Sequence, residues 1–161
     1  MKGIRAIALD VDGVLTDGGV WWGPAEQEWK RFCYSDIMGV SLGRKAGLVF
    51  ALISGEDSPL VDRFASKLGI AYVEKNCKDK GAALRQFSQE IGLPLSAVCF
   101  MGDDVNDLGA MGAAGLAAAP ANAHPAVKHA AAFVAIRSGG DGAVRELIDA
   151  VLTAGVAESG A

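Results

Sequence analysis

The stretch IRAIALDVDGVLTD, residues 4–17, decides the fold. Ile4 to Leu9 is an apolar, β-favouring run broken by one charge, Arg5. Such a run reads as a strand covered on both faces. It ends at Asp10, and a second carboxylate follows at Asp12. Either acid would cost several kcal/mol to bury unpaired, so a cation or a solvated cleft must hold them. Gly13 then lets the backbone turn away tightly.

Downstream, the same pattern repeats. Leu48 to Ile53 is a second continuous apolar strand, ending at Ser54-Gly55-Glu56. Ser58 and Pro59 carry the chemistry of a helix start, and Gly69 that of its end. Ala71 to Glu74 reads as a short strand, Asp79 to Ile91 as a helix, and Val98 to Met101 as a strand running into GDDVND, residues 102–107. A short helix to Ala113, a strand from Gly115 to Ala119, a helical turn from Pro125 to Ala130, a strand from Phe133 to Ile136 and a helix from Gly142 to Ala154 complete the order. Residues 155–161 are small and polar and are expected to fray.

Apolar strands alternating with helices predict an α/β fold. Its Rossmann-like parallel sheet carries helices on both faces, within a single domain spanning 1–161. Between the first strand and the first helix, Asp36 to Ala46 with Gly47 behind it, lies an insertion over about 18–32. Val20-Trp21-Trp22, the turn Gly23-Pro24-Ala25 and Glu28-Trp29-Lys30-Arg31-Phe32 read as a β-hairpin. It carries all three tryptophans. A lone hairpin is marginal in water, so these rings are expected to pack on a partner or over a cleft.

A net charge of −4 over 161 residues offers no basic footprint for nucleic acid. No apolar run is long enough for a membrane span, and the early start of the first strand leads to the expectation of no signal peptide. The three cysteines, Cys33, Cys77 and Cys99, lie far apart and fit reduced thiols in the cytoplasm.

In parallel α/β sheets, ligands sit beyond the carboxyl ends of the strands, where strand order reverses. Asp10, Asp12, Ser54, Gly55, Asp103, Asp104 and Asp107 all fall at strand ends. Acids converging there favour a hard divalent cation, with Mg2+ suited to carboxylates and water. Ser54 offers a hydroxyl and Gly55 an unshielded amide ahead of a helix, which suits a phosphate. Lys80 supplies positive charge. One carboxylate of the pair can attack phosphorus while the other handles the leaving-group proton. A signalling receiver module also combines acids, magnesium, a hydroxyl and a lysine. It places its acid pair and phospho-accepting aspartate after different strands, however.

DVDGVLTD (10–17), the strand ending in ISG (53–55), KDKG around Lys80 and GDDVND (102–107) occur in the order seen in haloacid dehalogenase-superfamily phosphatases, which the whole chain resembles. The hairpin in place of a cap, and GGDGAVRE (139–146), resemble the capless, tetrameric subgroup acting on octulosonate 8-phosphate and nonulosonate 9-phosphate. The resemblance implies Mg-dependent hydrolysis of an acidic 2-keto-3-deoxy sugar phosphate through an aspartyl-phosphate. Asp10 would be the nucleophile and Asp12 the acid/base. Asp10, the Asp12 carbonyl and Asp103 would bind metal, with Asp104 and Asp107 supporting them. Ser54, Gly55 and Lys80 would hold phosphate. It also implies a homotetramer built through the hairpin.

One departure matters. Glu56 stands where octulosonate phosphatases resembling this chain carry arginine. Glu56 and Lys67, from the same or a neighbouring chain, are therefore the expected selectors of a nine-carbon substrate. Asp36 is expected either to serve as an acid at the start of its helix or to reach the substrate. Arg145 is expected either to face the cleft or to tie down the last helix. His124 and His129 are expected to be surface residues.

Overall fold

The computed structural model describes residues 1–159. Six parallel strands form one sheet: β1 (Ala6–Leu9), β4 (Val49–Ile53), β5 (Tyr72–Glu74), β6 (Val98–Met101), β7 (Leu116–Ala119) and β8 (Phe133–Val134). Their spatial order is β5-β4-β1-β6-β7-β8. β1 is thus central, paired with β4 on one side (Leu9 opposite Leu52) and β6 on the other (Leu9 opposite Met101). The chain builds outward in one direction, then returns to build in the other. The expected reversal of strand order therefore falls at the end of β1, beside Asp10.

The helices are α1 (Tyr34–Lys45), α2 (Pro59–Leu68), α3 (Lys80–Glu90), α4 (Leu108–Ala113), α5 (Pro125–Ala130) and α6 (Ala143–Ser159). Alternation along β1 divides the core. Ile7 and Leu9 enter one cluster with Val40, Leu147 and Ile148, while Ala6 and Ala8 enter the other with Leu84, Phe87 and Phe100. The small residues of β1 leave room on that second face for two buried phenylalanines.

The helix ends follow local chemistry. The Ser58 hydroxyl accepts from Leu60 N, Pro59 opens α2, and Gly69 closes it in the left-handed region. At the end of α1, Leu48 N donates to Gly43 O and Gly47 N to Arg44 O, with Gly47 at φ +92°. That is the Schellman arrangement, which a glycine accommodates without strain. The last helix runs past the expected Ala154 to Ser159, so part of the tail expected to fray is helical, and residues 160–161 lie outside the described residues. No helix among the described residues is long and apolar enough to cross a membrane.

β2 (Trp21–Trp22) and β3 (Glu28–Trp29) form the antiparallel hairpin at the expected place, with only two residues paired in each arm. Trp22 is 79% exposed, and Trp21 and Trp29 are more than half exposed. Within one chain these rings do not fold back onto the core.

Candidate active site

β1, β4 and β6 all end at one edge, and the residues just past each strand build the site. Asp10 N donates to Met101 O at 3.0 Å, continuing the sheet ladder one residue past the strand. This holds the Asp10 side chain at the mouth of the central strand, 5% exposed. Gly13 comes next at φ +87° and lies against Asp103: a Cβ there would sit 2.0 Å from Asp103 Oδ2. The turn can bring the two acids together only because residue 13 has no side chain. Gly13→Ala should therefore displace Asp103 and strain the turn, costing about 1–3 kcal/mol. Magnesium titration of the folded variant should show at least tenfold weaker binding, and unchanged affinity would refute this packing argument.

Lys80 is the first residue of α3, behind the N-cap Asp79, whose side chain accepts from Ala82 N. Its ammonium is buried and reaches Asp10 Oδ1 at 2.8 Å and Asp107 Oδ1 at 2.6 Å. Asp107 is fully buried, and its other oxygen accepts from Asp103 N and Asp104 N. It thus shapes the loop that presents Asp103. Gly102 makes room for it, since a Cβ there would lie 2.4 Å from the Asp107 Cβ. His124 N donates to Asp103 O, anchoring the same loop from the β7 side.

One ammonium faces too many carboxylates here. Asp10, Asp103 and Asp107 each bring an oxygen within 4.8 Å of the others. Burial, and then the charge of Asp107, push the Asp10 carboxyl well above the usual carboxylate range, with Lys80 opposing. The same two causes push Asp103 up to about 6. A cation would relieve that strain, and an all-oxygen donor set beside a cleft is what magnesium accepts. Asp10, Asp103 and Asp107 each offer an oxygen to such an ion.

The cleft in front of these acids has a volume of about 360 Å³ and is lined by Asp10, Asp12, Gly55, Glu56, Lys80 and Asp103, among others. Buried Ser54 accepts from Glu56 N at 3.2 Å, and a Cβ at Gly55 would lie 3.8 Å from Asn106 Nδ2, an ordinary contact. Glu56 is exposed in this cleft. Lys67 is not in it: on α2 of the same chain it lines a separate groove with Lys30, Phe32 and Arg63.

The Asp12 side chain reaches the hairpin. Its two oxygens meet Lys30 Nζ at 2.8 and 3.0 Å. Sequence reasoning missed Lys30, although the signal was present. In an extended EWKRF arm, Glu28, Lys30 and Phe32 share one face, while Trp29 and Arg31 share the other.

Asp36 lies in the first turn of α1 but does not serve that helix. It is buried, and its carboxylate accepts from Gly142 N and Arg145 N, capping α6. Burial raises its carboxyl above the usual range, and those backbone donors oppose the rise. Arg145 pairs with Asp149 in its own helix and does not face the cleft. The loop before α6 in turn backs the Gly13 turn. Asn122 donates to Gly13 O and accepts from Gly139 N, and Gly140 N donates to Val14 O. His124 is the N-cap of α5, and His129 is exposed in its last turn.

Residues 49–147 match the haloacid dehalogenase-like hydrolase family. Over 153 residues, 95% of this chain and 81% of the relative, the chain is 34% identical to a 3-deoxy-D-manno-octulosonate 8-phosphate phosphatase of Salmonella typhi. The crystal structure of such a phosphatase from Moraxella catarrhalis, with magnesium, phosphate and its sugar acid, superposes with a TM-score of 0.93 at 34% identity, covering 96% of this chain and 89% of that one. The cobalt-bound deoxy-D-mannose-octulosonate 8-phosphate phosphatase from Haemophilus influenzae gives 0.92 at 34% identity, with 94% and 89% covered. The likeness thus runs along nearly the whole length, and the chain belongs to the haloacid dehalogenase-like hydrolase family.

Proposed function

We propose that this protein is a magnesium-dependent phosphatase of acidic 2-keto-3-deoxy sugar phosphates. The observation that carries the reading is the buried Lys80 ammonium held between Asp10 and Asp107 at the mouth of β1, with Asp103 crowded against them. The similarity to octulosonate 8-phosphate phosphatases supports the substrate class.

Asp10 attacks phosphorus through the oxygen that Lys80 leaves free, forming the aspartyl-phosphate as the bond from phosphorus to the sugar oxygen breaks. Asp12 gives a proton to that oxygen, then takes one from the water that attacks the phospho-enzyme and releases phosphate. Ser54, the Gly55 amide and Lys80 hold the phosphoryl oxygens. Magnesium, when bound by Asp10, Asp103 and the Asp12 carbonyl with Asp104 and Asp107 behind them, supplies charge neutralisation for the phosphoryl group.

Glu56, at the rim of the cleft, selects the sugar. Lys67 joins it only from a neighbouring copy, since its own chain points it into another groove. The exposed tryptophans of the hairpin support assembly into a homotetramer, where those rings would be buried. The free thiols of Cys33, Cys77 and Cys99 fit a cytoplasmic setting.

Phosphate release should be measured on octulosonate 8-phosphate, a nonulosonate 9-phosphate and neutral hexose phosphates. The keto-deoxy acids should exceed the neutral sugars in kcat/KM by at least about 100-fold, and a chelator should abolish turnover. Glu56→Arg should shift preference toward the eight-carbon substrate by about tenfold or more. Equal rates on neutral and acidic sugars would overturn the substrate class.

A further inference from the structure

The hairpin does more than expose aromatic rings. Its second arm reaches Asp12 and α2 with one face, and three alternating residues of that face are each held. Glu28 Oε1 accepts from the Ser58 hydroxyl at 2.7 Å, at the start of α2. Phe32 stacks on Phe64 in the same helix, with ring centroids 4.7 Å apart. Between these two anchors lies Lys30, its side chain only 4% exposed although the residue sits on a surface hairpin. Its ammonium meets both oxygens of Asp12 and also Glu28 Oε1 at 3.3 Å. Ser58 itself accepts from Leu60 N. A continuous chain of polar contacts therefore runs from the first turn of α2 through Ser58, Glu28 and Lys30 to Asp12.

We propose that Lys30 is the positioning residue of Asp12, fixing the orientation of its carboxylate for both proton transfers. The inference rests on the reading of Asp12 as the acid/base. Asp12 is about one-third exposed in its side chain and has two rotatable bonds. No other described side chain makes a salt bridge to it within 4 Å. Contact with both oxygens restrains both torsions, whereas a contact to one would leave the second oxygen free to swing. Glu28 in turn keeps Lys30 from swinging out to water, as an unanchored lysine would. Lys30 does not touch Asp10, Lys80 or the cleft-lining groups around Asp103. Its loss should therefore leave phosphate binding and the nucleophile intact and should impair the proton transfers.

That separation is measurable. A sugar phosphate has an alkoxide leaving group and needs the proton from Asp12. The leaving group of p-nitrophenyl phosphate departs without one. For both, kcat/KM reports events only as far as the phospho-enzyme. With magnesium present, Lys30→Met should lower kcat/KM on the keto-deoxy sugar phosphate by about 10- to 100-fold, through kcat, with KM within about threefold. On p-nitrophenyl phosphate the change should stay under about threefold. Lys30→Arg keeps the charge and should recover most of the loss, leaving a few-fold deficit confined to the sugar phosphate.

Equal losses on the two substrates, or no loss on the sugar phosphate, would overturn the inference. Should Lys30→Met fail to fold, the substrate-selective deficit of Lys30→Arg carries the test alone. Asp12→Asn is the control for the underlying reading. It should show the same selectivity with a larger loss. If it does not, the acid/base assignment itself falls, an outcome distinct from a failure seen only at Lys30.

Discussion

With asparagine in place of Asp10, phosphate release is expected to fall by at least about four orders of magnitude. The amide occupies nearly the volume of the carboxyl, and its oxygen still accepts from Lys80, which also keeps Asp107 at 2.6 Å. The site should stay assembled and lose only the proposed nucleophile. Thermal melting separates that outcome from simple damage. Burial and the charge of Asp107 hold the Asp10 carboxyl above its ordinary range, so its ionised form weakens the metal-free fold at neutral pH. Asp10→Asn removes that charge. The metal-free variant should melt higher than wild type, by a margin worth about 1–2 kcal/mol. A variant retaining a tenth of wild-type turnover would show that another group attacks phosphorus.

Lys80→Met is expected to have the largest effect on stability. Lys80 is 3% exposed, and its ammonium is the one cation contacting both Asp10 and Asp107 among the described residues. Its removal leaves two buried carboxylates with no opposing charge between them. Breaking such a pair costs about 3–5 kcal/mol, which for a chain of this size lowers the midpoint by about 10 °C. Saturating magnesium should narrow the gap between variant and wild type, because a divalent cation restores positive charge to the same oxygens. Turnover should be lost with or without the ion. A destabilisation below about 1 kcal/mol in chelator would mean that the carboxylates are solvated in solution, contrary to their burial here.

The parts of the molecule legible in the sequence are those specified within a few neighbouring residues. Ser58, Pro59 and Gly69 bounded α2 because cap chemistry acts over one turn. The apolar strands declared a parallel sheet because both faces need covering. Asp10, Ser54, Lys80 and Asp103 could be gathered at one edge because each follows or faces a strand end. What stayed hidden depends on partners far along the chain. Asp36 looked like an acid for its own helix, yet it serves Gly142 and Arg145 more than a hundred residues later. Lys30 looked like one cation in a charged arm until the hairpin was seen to cross Asp12. Arg145 had two open destinations, and the nearest carboxylate, Asp149 one turn on, took it. Lys67 shares a helix with Ser58, but the helical twist sends it to another groove.

The bond from Asp36 to the start of α6 has a consequence for how the polypeptide comes off the ribosome. α1 packs closely against α6, and Gly39 and Gly43 admit Arg145 and Ile148 at close range. The first helix must therefore wait, its small-residue face bare and its carboxylate without those donors, while about a hundred residues are translated. Nascent chains halted before residue 143 should be bound by chaperones at that face and released once α6 has emerged.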